Sequence, residues 1–550
     1  MGICYTADTP VRVAHFGITS VISLVDDGLL EEYRMAYAER LGLDLGSPQT
    51  TRIGRIRSYL DFVADEVERK FTRLCAERLD GGSDKDLYFL MLPLNSPLRV
   101  EYDGVFAKTG LARVAAEASL TEKMEPGDIQ VNIMVGLNHE EAAFDAVRGF
   151  ASSKVKGALV LSAGVNLAVF EEIAKCKDFY RINDKAPSKK IILKVSDYRS
   201  ALIQGRYLAK KGLEVYEYRI ESGVNCGGHA FFESKKLMLD VVREFMAKRN
   251  ELFETTCGMI AKAAANSSVQ GICPPQAPAR ITAQGGLCAP DDIEKIMSFG
   301  IDGVGVGTPF LLVPQATSVD KETRRTLAKA TVDDVYISHA SPLEIPFVNL
   351  RTSTAATLCR DKIREYFAPQ DQKSGAPELK PGFPCRQHYL CRQVPGFDHP
   401  VCMASREYVV QRLAEIDQLE KEELRSAGHP EGLETNDGIH EIHVKYDELR
   451  REALSRECIC RFLGNAGREE IREKNPSLHY QPECVAVARG SQPERVREPV
   501  TVCPNPDIGY FDREYTLFEM MRHLYGTGPR LTPEDKPSAF EIEEKILANV

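Results

Sequence analysis

The 550-residue chain contains no tryptophan. That absence excludes little, because 23 phenylalanines and 20 tyrosines are available to fill a core. Also missing is an apolar run of the roughly 20 residues that a membrane-spanning helix needs, so no membrane partner is expected. The first residues lack the charged-then-apolar pattern of an export signal. MGICYT does place Gly2, Cys4 and Thr6 as an acylation motif would, but so short a match has little weight. An excess of basic residues is lacking too: 70 Lys and Arg stand against 80 Asp and Glu, a net charge of −10. A general nucleic-acid binder needs the opposite sign, so nucleic acid is not an expected partner. The 15 cysteines include no CxxC pair. In a chain of this size without an export pattern, reduced thiols and a cytoplasmic location are the expectation. Repeats of solenoid length are absent.

Hydrophobic residues make up 43% and charged residues 27%, which is the balance of a globular protein. The length exceeds one ordinary domain. VRVAHFGITSVISLVDD, near the start, is a short apolar strand-like run ending in an acidic pair. YLDFVADEVERKFTRLCAERL then repeats Leu60, Val63, Val67, Phe71 and Cys75 at helical spacing. From Asp128 to about Ala316 short apolar runs alternate with amphipathic ones: DIQVNIMVGL, GALVLSAGV, KKIILKVSD, EVYEYRIESG, ARITAQGG and DGVGVGT as strands, with helices between. Such alternation means βα units on a parallel sheet. Their number and span predict an α/β fold, a (β/α)8 TIM barrel, with a doubly wound open sheet as the alternative.

The expected organisation is a barrel over 1–354 carrying a helical insertion at about 50–125. A segment over 355–435 follows, with a Pro- and Gly-rich linker, several cysteines and the charged helix SREYVVQRLAEIDQLEKEELRSAG. Residues 436–550 are expected to form a C-terminal α+β extension.

Glycines cluster at three strand ends: Gly227-Gly228, Gly285-Gly286, and Gly305 with Gly307-Thr308. In a parallel barrel the C-terminal strand ends form the active-site face. Glycines there let backbone N–H groups reach an anion, and two clusters on the last two strands are what a barrel phosphate site needs. His229, directly after Gly227-Gly228, is a candidate acid/base, since imidazole titrates near neutrality. Cys226 beside it is a redox thiol or an inert buried one. In the C-terminal part, Cys385, Cys391, Cys402, Cys458 and Cys460, with His388 and His399 nearby, are candidate ligands for zinc or an iron–sulfur cluster, although their spacing fits no standard motif. FLGNAG, just after Cys460, reads as a turn or as a set of backbone amides for a ligand.

NIMV, ESGVNCGGHAF, ITAQGGLCAPDDIEKIMSFGIDGVGVGTPFLL and ISHASPLEIPFVNLR, in that order over roughly residues 128–350, resemble the nitronate monooxygenase family (2-nitropropane dioxygenase-like) of FMN-dependent TIM-barrel enzymes. The whole chain resembles a long bacterial branch of it. The same fold group includes flavin-dependent enoyl-acyl-carrier reductases. The resemblance implies FMN as cofactor. It places Asn132 beside the flavin, Gly285 and Gly286 on its phosphate, and Gly307 and Thr308 completing that phosphate site. Lys194 is implied near the flavin N1–C2 edge, with Glu221, Gly227 and Gly228 also in the cofactor set, and His229 as catalytic acid/base. Asn225-Cys226, Gly305 and Pro309 depart from the usual family residues, and the glycine-rich first strand is not recognisable.

The implied activity is oxidation, through flavin, of a small molecule with an acidic C–H. The alternatives are an NAD(P)H-dependent flavin reductase of enoyl-reductase type, a flavin-free barrel binding a phosphorylated substrate, and a non-enzymatic component docking a partner through its C-terminal region. The expected partner is a small-molecule substrate, and a homo-oligomer is compatible with the sequence.

Overall fold

The computed structural model describes residues 6–24, 26–134, 140–162, 164–230, 236–369, 380–384, 390–427, 437–474 and 497–548. Its strands, in chain order, are β1 (Ser20–Ser23), β2 (Ile129–Met134), β3 (Ala158–Ser162), β4 (Lys190–Val195), β5 (Glu217–Glu221), β6 (Gly228–His229), β7 (Arg280–Gln284), β8 (Gly303–Gly305), β9 (Val335–Ser338) and β10 (Phe347–Leu350).

Seven strands form one sheet in the order β1-β2-β3-β4-β5-β7-β8, and every pair in it is parallel. The order follows the chain without reversal. That is the winding of a barrel; a doubly wound sheet turns back at a switch point. An eighth strand and a β8–β1 ladder are not found among the described residues, so the sheet is a curled part-barrel rather than the closed eight-stranded one expected. The physical reason lies before β1. Pro10 sits in the first turn of a helix, Thr9–Val13, where its missing N–H costs nothing, so VRV is helical and only SVIS remains as strand.

A buried polar cluster joins the two open ends instead. Asp8 accepts hydrogen bonds from Arg12 Nε (2.6 Å), Tyr37 (2.9 Å), Thr6 Oγ1 (2.9 Å) and Ser318 Oγ (2.8 Å). Arg12 also donates to the Pro314 carbonyl at 3.0 Å. Burial alone would raise the Asp8 carboxyl; Arg12 and the hydroxyl donors overcome it and hold it below the usual range. Residues before β1 are thus tied to residues after β8.

The helices pack as their caps and apolar faces dictate. Asp197 accepts from the Ser200 N–H to start Tyr198–Lys210, and Asn166 does the same for Leu167–Ala174. The 50–80 periodicity becomes a helix over Arg52–Ala76 that buries Leu60, Val63 and Val67. Three shorter helices, Asp84–Leu90, Pro97–Val105 and Gly110–Glu122, complete the helical insertion around a small core of their own.

The described part of the C-terminal extension, 437–474 and 497–548, holds helices, and no strand is found among those residues. Val502, Ile508, Phe511, Leu517 and Met520 belong to the same buried apolar cluster as the barrel strands. Most of the linker and the residues Cys385 and His388 lie outside the described residues. No helix of the described chain is long and apolar enough to cross a membrane.

Candidate functional site

A cavity of about 300 Å³ opens at the C-terminal ends of the strands. Asn132, Lys194, Glu221, Gly227, Gly228, His229, Gly285, Gly286, Gly307 and Thr308 all line it. Residues from six separate stretches of chain therefore meet at one place, because parallel βα winding delivers every strand's C-terminal end to the same face.

The floor is polar. Lys194 Nζ lies 2.7 Å from Glu221 Oε1, which also accepts from Gln284 Nε2 at 2.7 Å. The lysine charge is thereby matched by a carboxylate. Asn132 Oδ1 is buried without a hydrogen-bond partner. A buried polar atom left unpaired costs free energy, and a ligand donor is what relieves it. Cys226 donates to the Gln284 carbonyl at 3.3 Å. Burial pushes its thiol well up, with the Glu221 carboxylate adding to the effect, so it stays protonated and fits the inert reading.

Gly286 shows why glycine is required in the cradle. Its φ is +69°, and a Cβ there would lie 2.1 Å from Asn225 Nδ2 and 3.1 Å from Asp507 Oδ2. Thr308 Oγ1 accepts from the Asn505 N–H at 3.1 Å. The C-terminal stretch around residues 501–507 thus packs directly on the glycine site.

The same stretch explains the first of the two glycines before His229. A Cβ on Gly227, at φ +77°, would lie 2.1 Å from the Cys503 carbonyl oxygen. The close approach is to the protein's own C-terminal strap. Gly228 has φ +74°, but its nearest neighbours would stand 3.9 Å from a Cβ. Gly227→Ala is therefore expected to lose about 3 kcal/mol or more, from left-handed strain plus a clash with backbone that no rotamer relieves. Gly228→Ala should lose only the strain, about 1–2 kcal/mol. Urea unfolding of both variants tests this, and equal losses would refute the packing explanation.

His229 sits on β6, whose partner is β10; Phe347 is its cross-strand neighbour, and the two rings meet edge-on at 5.2 Å. Its Nε2 lies 2.7 Å from Ser341 Oγ. Burial pushes the imidazole down to about 4, so it is neutral at pH 7.

The roof was not visible in the sequence. Leu29 and Leu30 from the helix Asp27–Leu41, and Ile459 and Leu463 from the helix Ile459–Lys474, line the cavity with Val502. FLGNAG lies inside that second helix, so its amides serve the helix and it is neither a turn nor an anion loop. Its glycines act by being small: a Cβ on Gly467 would lie 2.1 Å from the Tyr33 hydroxyl.

Of the candidate metal ligands, Cys385 and His388 lie outside the described residues. Cys391, Cys402 and Cys458 are buried in one apolar cluster and Cys460 in the next, while His399 is exposed and paired with Asp398. Among the described residues no group of three potential ligands is placed to hold a metal ion.

No family model matches the chain, and no curated protein matches it. Solved structures that resemble it include FabK from Thermotoga maritima, at 18% identity and TM-score 0.28 over 44% of this chain and 60% of that one. The enoyl reductase domain of MlnA from the macrolactin biosynthesis cluster of Bacillus amyloliquefaciens is 12% identical, with TM-score 0.36 over 82% of this chain and 86% of that one. Nitroalkane oxidase from Streptomyces ansochromogenes is 13% identical, with TM-score 0.25 over 45% and 66%. The chain spans about three fifths of the FabK structures it matches.

Proposed function

We propose that the cavity binds flavin mononucleotide and that the protein is a flavin-dependent oxidoreductase of nitronate monooxygenase type. Its substrate is a small molecule with a C–H made acidic by a neighbouring nitro or carbonyl group. One observation carries the reading: the glycines of the last two strand ends line the same cavity as Asn132, Lys194, Glu221 and His229. The donor set fits the cofactor. Gly285, Gly286, Gly307 and Thr308 form a backbone cradle for the phosphate end, and the unpaired Asn132 Oδ1 suits an N–H donor of a flavin ring.

When bound, the flavin supplies two-electron redox chemistry. The chain's own residues do the rest. The Lys194–Glu221 pair keeps a polar, charge-balanced floor. Leu30, Ile459, Leu463 and Val502 close the top with apolar surface and limit water. His229, neutral at pH 7, is the group that handles a proton or a hydrogen bond at the substrate.

The test is the visible absorption spectrum of protein purified without added cofactor, followed by release of any chromophore. A two-band flavin spectrum with FMN released in near-equal ratio to protein is expected. Colourless protein that also fails to take up FMN would end this reading and favour the flavin-free barrel.

A further inference from the structure

We propose that Ser341 is a positioning residue that holds His229 with its ring proton on Nδ1, so that His229 meets its ligand as a hydrogen-bond donor and not as a base. The proposal narrows the role given to His229 above, proton transfer or hydrogen bonding, to hydrogen-bond donation, and rests on that reading of the cavity.

Ser341 is fully buried. Its Oγ accepts from the Leu343 N–H at 3.1 Å and lies 2.7 Å from His229 Nε2. A serine hydroxyl has one hydrogen to give. If Nε2 carried the ring proton, Oγ would accept twice, and its own hydrogen would find no acceptor among the described residues. Buried donors are paired in native structures. The serine hydrogen therefore goes to Nε2, which becomes the acceptor, and the ring proton sits on Nδ1. Burial keeps the ring neutral at pH 7, so one nitrogen only is protonated. Nδ1 has no protein partner among the described residues, and His229 lines the cavity.

Ser341 is itself held by the C-terminal region. Arg456 Nη1 donates to the carbonyls of His339 (2.7 Å) and Ser341 (2.8 Å). The Glu457 N–H donates to the Ala340 carbonyl at 2.8 Å. The Glu457 carboxyl accepts from Asn349 on β10 at 2.7 Å and from Thr501 at 3.1 Å. The loop 339–341, the strand beside His229 and the strap over the cavity thus share one anchor. A donor in this place selects ligands with an electron-rich oxygen beside the reacting carbon, such as a carbonyl, nitro or nitronate oxygen.

The experiment is a ring-nitrogen NMR spectrum of full-length protein labelled with 15N-histidine, at pH 7, with the His229 signals assigned by their loss in His229→Gln. The expected spectrum shows His229 with Nδ1 protonated and Nε2 unprotonated. Ser341→Ala should lose this single tautomer, and Ser341→Thr, which keeps the hydroxyl, should retain it. A wild-type His229 protonated on Nε2 would overturn the proposal whether or not the variants fold, and so would a tautomer unchanged in Ser341→Ala. Flavin binding is measured on the same sample. If flavin fails to bind while Nδ1–H is seen, the functional reading falls and the tautomer stands; if flavin binds and Nε2–H is seen, the tautomer alone falls.

Discussion

A chain ending at residue 354 is expected to aggregate rather than fold, although it keeps all seven sheet strands and every residue named for the cofactor. The barrel and the C-terminal region share one core. Val502, Ile508, Phe511, Leu517, Met520 and Phe540 all sit in the apolar cluster that includes the strand residues Val131, Leu193 and Ile281. Burying such a side chain is worth about 1.5–3 kcal/mol each, so these six contribute on the order of 9–18 kcal/mol as an upper estimate. Total stability for a domain is only about 5–15 kcal/mol. Losing them also strips the strap from Gly227 and Gly286 and exposes the apolar roof-facing surface to water. Size-exclusion chromatography and thermal unfolding of the 1–354 chain check this. A monomer with a cooperative transition near that of the full chain would contradict it.

Lys536→Met is expected to cost about 3–5 kcal/mol. Lys536 Nζ lies 2.8 Å from Asp507 Oδ1 and 3.4 Å from Asp292 Oδ2, and all three side chains are buried. Without the lysine, two carboxylates remain in the interior with no cation. Burial already raises both carboxyls, and the lysine opposes that rise, so its removal raises them further. A carboxyl raised in the folded state favours folding fully at pH below its unfolded value. That contribution is lost as pH climbs through the folded value. The deficit of Lys536→Met should therefore be smallest in acid and grow as pH rises. Asp507→Asn added to Lys536→Met should recover part of the loss, since it removes one of the stranded charges. Urea unfolding of the variants at several pH values measures this. A loss under about 1 kcal/mol, or one independent of pH, would contradict this account of the three buried groups.

What could be read from the sequence, and what could not, divides along the range of the interactions. IILK, NIM and ITAQ announced themselves as buried parallel strands because each is a short apolar run between helical patterns. Their C-terminal ends then had to converge, which is why residues from Asn132 to Thr308, chosen from strand ends, line one cavity. Pro10 was the local signal against a long first strand, and its place in a helical first turn explains the shortened β1. The roof was different. Ile459, Leu463 and Val502 carry no pattern that ties them to a cavity built more than a hundred residues earlier. Gly464 and Gly467 looked like turn residues, and only the packing of Tyr33 against Gly467 shows that smallness was the requirement. Gly227 also has a long-range requirement: a Cβ there would lie 2.1 Å from the Cys503 carbonyl oxygen. The Ser341–His229 bond joins residues 112 positions apart, and nothing local to either one marks it.

On the proposed reading, the glycine cradle at the last two strand ends receives the phosphate of a flavin mononucleotide. A fluorescence titration of cofactor-free protein with FMN and, separately, with riboflavin, which has the same ring and no phosphate, decides this. The account predicts FMN binding at least about ten-fold tighter, the worth of a charge-assisted contact to backbone N–H groups. Equal affinity for the two, or binding of neither, would contradict it.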